Sequence, residues 1–276
     1  MEILSALAKF KRDRLEEWCR TRCLVAPVKD GVAMCRVLGT FPMYVDTTDM
    51  SVAPHLMMHG FWEIWISQFM AKTIKPGNRC IDVGANLGYF TLLMGLKAGA
   101  SGAIQAWEPQ GDLASLIAGT AALNGIKVDL HRAVATDVEG CALTMRTFPR
   151  EGIGALRGSA AIGTGGPIID QITVSGTTID STEFAKQPVD FIKIDAEGHE
   201  PQVWAGCERV RKESPNLKFL IEFSPSGYAD AAGFVDQITG DGWKLHTIDA
   251  SGNPKSATKE ALLNLGNGFE MVYLCR

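Results

Sequence analysis

From Pro76 onward the spacing of apolar positions switches repeatedly, from short unbroken runs to recurrence every three or four residues. "RCIDVG" predicts a strand, "YFTLLMGLKAG" a helix, "AIQAWE" a strand, "GDLASLIAGTAALNG" a helix and "KVDLHRAVA" a strand. A short apolar run suits a buried strand, whereas the three-and-four recurrence gives a helix one apolar face. Their alternation predicts a parallel sheet with crossover helices on both faces. The rhythm returns later with "VDFIKID", a helix from about Pro201 to Lys212, and "LKFLIEF". "WKLHTID" and "FEMVYLCR" offer two more strands.

Ahead of Pro76 the pattern differs. Ile3, Leu4 and Leu7, then Leu15, Trp18 and Cys19, recur at helical steps and predict a capping helix. Between Leu24 and Val45, β-branched residues interrupted by "KDG" and "GTFP" predict a hairpin. "HGFWEIWISQFMAKTIKPG" resumes helical period, with Phe61, Ile64, Trp65, Gln68 and Phe69 on one side, and stops at "KPG". The expected organisation is a helix and hairpin cap over residues 1–75 and a catalytic α/β body over 76–276, without internal repeats. One stretch, Gly140 to Thr182, breaks the alternation. It contains the Gly-rich "GIGALRGSAAIGTGGP" and ends in "QITVSGTTID", which alternates like an antiparallel edge segment. A loop that long in a compact domain is more often functional than idle.

Composition narrows the classes. With 276 residues and 46% hydrophobic content, the chain can bury one large core or a core with a small accessory unit. The 27 basic and 31 acidic residues nearly balance, and no basic block exceeds "KFKRDR". Phosphate binding wants a concentrated basic face, so nucleic acid is not an expected partner. The seven cysteines are scattered without a CxxC pair and fit reduced thiols in a cytoplasmic protein. The first residues have the wrong charge order for a signal peptide. No apolar run approaches transmembrane length.

The most informative stretch is "CIDVGANLGYF", where Gly84, Asn86 and Gly88 follow an apolar run that ends in Asp82 and Val83. In an open parallel sheet, ligands collect beyond the carboxyl ends of the strands, and glycines let the backbone approach them. The spacing is not GxGxxG, because Tyr89 stands where the last glycine would be. A pyrophosphate therefore fits poorly. The amino-acid and ribose portion of S-adenosylmethionine fits better, since its ammonium and sulfonium favour a carboxylate such as Asp82. Glu108 closes the next strand, where one carboxylate accepts from both ribose hydroxyls.

"IKPGNRCIDVGANLGYFTLL", "AWEPQ", "ALNGIKV" and "VDFIKIDAEGHEPQVWAG" together resemble the FkbM-type methyltransferases, a branch of the S-adenosylmethionine-dependent enzymes. The resemblance implies a Rossmann-like class I methyltransferase fold, a seven-stranded mostly parallel sheet whose last strand is antiparallel. It implies methyl transfer from S-adenosylmethionine to a hydroxyl of a sugar, glycan or secondary metabolite. Carried over by position, Asp82, Gly84, Asn86 and Gly88 would line the methionine and ribose portion, Glu108 would hold the ribose, and Ala133 would lie beside adenine.

In-line displacement at a sulfonium requires the acceptor oxygen to be held opposite the sulfur, and an aliphatic hydroxyl gains from a positioned base. The candidates cluster in "KIDAEGHE". Asp195 and Glu197 are expected to orient or deprotonate the acceptor, with His199 as a further base and Glu222 at the same rim. His55, His59 and Glu63 recur every fourth residue, but Pro54 and Gly60 put a helix boundary among them, so no metal is expected. His59 and Glu63 instead suit the cap beside the acceptor, with Trp62 and Trp65 as core or cavity wall. Two other readings stand beside this one: a nucleotide-dependent oxidoreductase with an aberrant fingerprint, and a non-catalytic S-adenosylmethionine binder. Neither the acceptor nor the oligomeric state follows from the sequence.

Overall fold

The computed structural model describes residues 3–149, 157–162 and 170–276. The Gly-rich stretch over 152–167 therefore lies mostly outside the described residues.

The amino-terminal part begins with two helices, α1 (Ile3–Leu7) and α2 (Arg12–Arg20), rather than one. The break is stabilised from outside, because Gln68 Nε2 donates to the carbonyls of Leu7 and Phe10 that the helix end leaves open. The expected hairpin is a three-stranded antiparallel meander of β1 (Val25–Lys29), β2 (Val32–Val37) and β3 (Phe41–Asp46). Both turn signals were used, one for each connection. Next come α3 (Ala53–His59), closed by Gly60 in the left-handed region, and α4 (Ile64–Thr73).

The body carries β4 (Arg79–Val83), α5 (Tyr89–Ala98), β5 (Ala103–Trp107), α6 (Gly111–Leu123), β6 (Val128–His131), β7 (Val134–Ala135), β8 (Cys141–Pro149), β9 (Arg157–Ile162) and β10 (Asp170–Thr177). It continues with β11 (Phe191–Ile194), α7 (Glu200–Ala205), α8 (Glu208–Glu213), β12 (Lys218–Phe223), α9 (Ala231–Gly240), β13 (Lys244–Ile248), β14 (Pro254–Ser256), α10 (Lys259–Leu263) and β15 (Glu270–Cys275). The main sheet has the order β14-β13-β15-β12-β11-β4-β5-β6. Neighbours from β12 through β6 are parallel, and β15 runs antiparallel between β12 and β13. This is the expected Rossmann-like α/β sheet, with the short β14 added at one edge. The strand order places the carboxyl ends of β4, β5, β11 and β12 side by side.

Three elements of the body also differ from the sequence reading. "KVDLHRAVA" is two strands, because the chain leaves the edge of the main sheet after His131 and pairs Val134 and Ala135 with β10 in a second sheet. The buried apolar pattern continues while the partner changes. β10 is antiparallel to β8, as the alternation implied, but it is interior to the sheet β7-β10-β8-β9. The helix after "KIDAEGHE" breaks at Gly206 and Cys207 into α7 and α8. A Cβ on Gly206 would lie 1.9 Å from the Thr136 carbonyl oxygen, so close backbone contact with the second sheet sets that break.

The two faces of the main sheet bury separate hydrophobic clusters. Leu7, Leu15, Met43, Leu56 and Ile64 of the amino-terminal part share one cluster with Leu92, Leu93 and Leu220. Trp204, Phe219, Phe234 and Trp243 belong to the other. Apolar burial at about 25 cal/mol per Å² is what fixes these layers, and with them the loops at the strand ends.

Candidate active site

The turn after β4 is held from three sides. Gly84 and Ala85 donate their amides to the Trp107 carbonyl at 3.1 and 3.0 Å, which ties the turn to the end of β5. Gly84 has φ +72°, and a Cβ there would lie 1.7 Å from the Asp195 carbonyl oxygen. The loops after β4 and β11 therefore meet backbone to backbone, which only glycine permits. Gly88 has φ +87° and begins α5, with Ile117 packed against the space a side chain would need. Asn86 has φ 51°, a left-handed conformation that asparagine tolerates better than most residues.

Glu108 follows β5 and is 3% exposed. Its Oε2 accepts from the Asn86 amide and its Oε1 from the Gln110 amide, both at 2.9 Å. Burial pushes its carboxyl up to about 7, against the pull of these two donors. Asp82 takes a different position. Its side chain is fully buried beneath the turn, where Oδ2 accepts from Thr91 Oγ1 at 2.6 Å and Oδ1 lies 3.9 Å from Lys193 Nζ.

A cavity of about 540 Å³ opens beyond the strand ends. Of the sequence-derived site residues, Gly84, Asn86, Glu108, Ala133, Asp195, Glu197, His199 and Glu222 line it, whereas Asp82 and Gly88 do not. The residues expected on the cofactor side thus share one space with the acidic group from the loops after β11 and β12. Trp62 of the amino-terminal part, Met145 and Ile162 of the second sheet, and Phe269 ahead of β15 complete the wall.

The acidic end has one buried cation behind it. Lys193, 2% exposed, donates from Nζ to Asp195 Oδ2 at 2.9 Å and sits over the Phe90 ring at 5.2 Å. Its neighbours Asp195 and Asp82 hold its ammonium above the ordinary lysine range, against the opposing effect of burial. Glu197 lines the cavity with its surface exposed, and desolvation, then Asp195 and Glu200, raise its carboxyl above the usual range. Glu222 is raised further by burial and by the same acidic neighbours. Glu63 is raised to about 7 by burial and then by Asp195. Glu63 and Glu197 both hold positive φ, at 38° and 52°. Such strain in side-chain-bearing residues concentrates at functional sites.

His199 starts α7 and is 9% exposed. Burial lowers its pKa, with Asp137 opposing, so the imidazole is neutral at neutral pH. His55 and His59 both lie on α3, and the helix boundary falls between them and Glu63. Trp62 stands against the His55 ring at 4.9 Å and lines the cavity, while Trp65 packs against the hydrophobic cluster under the Arg12 guanidinium. Among the described residues, no group of three His, Cys, Asp or Glu side chains is arranged to hold a metal ion. Nor does any helix among them have the length and apolarity to cross a membrane.

Several site residues escaped the sequence reading. Trp107 and Gln110 flank Glu108, and their place in "AWEPQ" was the available signal. Asp49 lines the cavity while its carboxylate caps the start of α3 through the Val52 and Ala53 amides. "DMSVAP" carries that turn chemistry in plain form. Met145 and Ile162 had no local signal, since only the second sheet brings them over the site.

A family model described as the methyltransferase FkbM domain matches residues 82–245. No curated protein matches the chain at the level of sequence. Among solved structures, a TehB-like SAM-dependent methyltransferase from Corynebacterium glutamicum is 10% identical, with 77% of this chain and 87% of that one covered and a TM-score of 0.41. A precorrin-6y C5,15-methyltransferase from Geobacter metallireducens is 9% identical over 78% and 88% of the two chains, at 0.42. A Pyrococcus abyssi tRNA (uracil-54, C5)-methyltransferase in complex with S-adenosyl-L-homocysteine is 8% identical over 92% and 44%, at 0.45. Similarity at that level carries no argument about the site.

Proposed function

The chain belongs to the FkbM methyltransferase family, and we propose that it transfers the methyl group of S-adenosylmethionine to a hydroxyl of a sugar, glycan or secondary metabolite. Family membership makes it an S-adenosylmethionine-dependent methyltransferase and sets aside the oxidoreductase reading. The observation that supports the finer reading is that both groups of residues line one cavity. The turn at Gly84 and Asn86 with Glu108 lines the same cavity as Asp195, Glu197, His199 and Glu222, and the loops after β4 and β11 touch where Gly84 meets the Asp195 carbonyl.

Bound S-adenosylmethionine supplies an electrophilic methyl on a cationic sulfur. Glu108 accepts from the ribose hydroxyls, using lone pairs left by its two backbone bonds. The bare Gly84 lets the loop after β11 close onto the turn, which sets Asp195 beside the cofactor end of the cavity. Ala133 and Val134 give an apolar wall suited to adenine. Asp82 acts from below, holding Thr91 and Lys193 rather than meeting the ligand. In the same cavity, Asp195 and Glu197 orient the acceptor hydroxyl and the neutral His199 is the group able to take its proton, while Glu222, held protonated by burial and its acidic neighbours, offers a hydrogen bond at the same rim.

The test is incubation with methyl-labelled S-adenosylmethionine and a panel of monosaccharides, oligosaccharides and hydroxylated macrolides, followed by mass spectrometry of the products. Label on an oxygen of one acceptor supports the reading. Label on nitrogen or carbon alone, or cofactor binding with every acceptor unmethylated, contradicts it.

A further inference from the structure

His199 is tied to the second sheet through a short polar chain that the proposed mechanism has not used. Its Nε2 lies 3.0 Å from Thr136 Oγ1, and Thr136 Oγ1 donates to Asp137 Oδ1 at 3.0 Å. A threonine hydroxyl has one hydrogen, and a carboxylate only accepts. With that hydrogen given to Asp137, the Thr136 oxygen faces His199 as an acceptor, and Nε2 must carry the ring proton. Nδ1 is then the basic nitrogen of the neutral ring, on a side chain that lines the cavity.

We propose that Thr136 and Asp137 are positioning residues that lock His199 in the Nε2–H tautomer, leaving Nδ1 as the atom that receives the acceptor's proton. This rests on the hydroxyl-methylation reading for its chemistry. The lock itself rests on the geometry alone.

The chain is built to be rigid. Thr136 is 1% exposed, and its amide donates to the Thr177 carbonyl at 3.0 Å. The Thr136 carbonyl is packed against Gly206, where even a methyl would collide. At the other end, the His199 amide donates to the Ala196 carbonyl at 3.2 Å, and its carbonyl accepts from Val203 as α7 begins. Burial keeps the ring neutral and hence able to accept. The proton balance closes: as the oxygen–carbon bond forms and the sulfur–carbon bond breaks, the bonding pair returns to sulfur and the hydroxyl proton passes to Nδ1. The resulting imidazolium keeps its Nε2 proton on Thr136 and returns the Nδ1 proton to solvent.

Ring-nitrogen chemical shifts of histidine in the S-adenosylhomocysteine complex read the tautomer without any acceptor. Wild type is expected to show His199 protonated on Nε2 and bare on Nδ1. Asp137→Ala frees the Thr136 hydroxyl to donate to the ring, so the population moves toward the Nδ1–H form. Thr136→Val should lower kcat by at least about tenfold, part of the hundredfold or more that a positioned base contributes, with S-adenosylhomocysteine affinity unchanged and Thr136→Ser restoring the rate. A wild-type ring protonated on Nδ1, or full-rate turnover by Thr136→Val, overturns the proposal. The expected tautomers with no hydroxyl methylated would leave the lock standing and sink the hydroxyl reading instead.

Discussion

The Asn86 amide donates to Glu108 Oε2 at 2.9 Å, so the turn after β4 and the end of β5 are joined by a backbone-to-carboxylate bond. Glu108 thereby shapes the turn and also presents its remaining lone pairs to the cavity. Replacing it with alanine removes a charge-assisted acceptor and leaves the Asn86 and Gln110 amides without it. Glu108→Ala is expected to bind S-adenosylmethionine and S-adenosylhomocysteine more weakly by about 1 to 3 kcal/mol. Calorimetric titration checks this, and equal affinity would remove Glu108 from the cofactor site.

The crowded carboxyls set a pH dependence of stability. Burial raises Glu63, Glu108 and Glu200 to about 7, so in the ligand-free protein they hold protons that the unfolded chain has released. The folded state then binds more protons than the unfolded one, and its stability falls as pH climbs through the window from about 5 to 8. His199, whose pKa is lowered, acts with the opposite sign and costs stability at the acid end. Thermal melts across that range should show the ligand-free protein losing stability toward pH 8, with S-adenosylhomocysteine flattening the loss by favouring ionised Glu108. A melt that rises steadily to pH 8 would contradict the assignment.

At the acceptor end, Asp195→Asn and Glu197→Gln should both bind cofactor and turn over slowly. The expected loss is in kcat rather than in cofactor affinity, because neither side chain bonds to the turn. Steady-state kinetics beside calorimetry separate the two, and full activity in both variants would refute their roles.

Lys193 stands between Asp195 at 2.9 Å and Asp82 at 3.9 Å with almost no access to water. Lys193→Met leaves Asp195 and the buried Asp82, whose pKa burial already raises, without their shared cation, which costs up to about 3 to 5 kcal/mol less what Asp82 recovers by taking a proton. Adding Asp82→Asn should recover much of that loss. Denaturant unfolding of the single and double variants measures it, and equal stability of Lys193→Met and wild type would show that the pair contributes nothing.

Much of this organisation was legible in the chain. The strand and helix alternation after Pro76 follows from burial of both sheet faces, and the glycines at Gly84 and Gly88 announce a turn that few side chains tolerate. "KIDAEGHE" brought three cavity residues into view because they are contiguous. Asp82 was harder, since sequence cannot say whether a strand-end acid faces outward or lies beneath the turn, and the buried Lys193 across the β4–β11 pair decides it. The break at Gly206 and the split after His131 depend on contacts with the second sheet. Met145, Ile162 and Thr136 reach the site through that sheet, and long-range pairing of this kind leaves little local periodicity to read.

The most direct measurement is a crystal structure of the protein soaked with S-adenosylhomocysteine. The account predicts the ribose hydroxyls on Glu108, the homocysteine portion along the turn from Gly84 to Asn86, and the sulfur directed toward Asp195 and Glu197. The nucleoside bound elsewhere, or the same cavity left without it under saturating conditions, would contradict it.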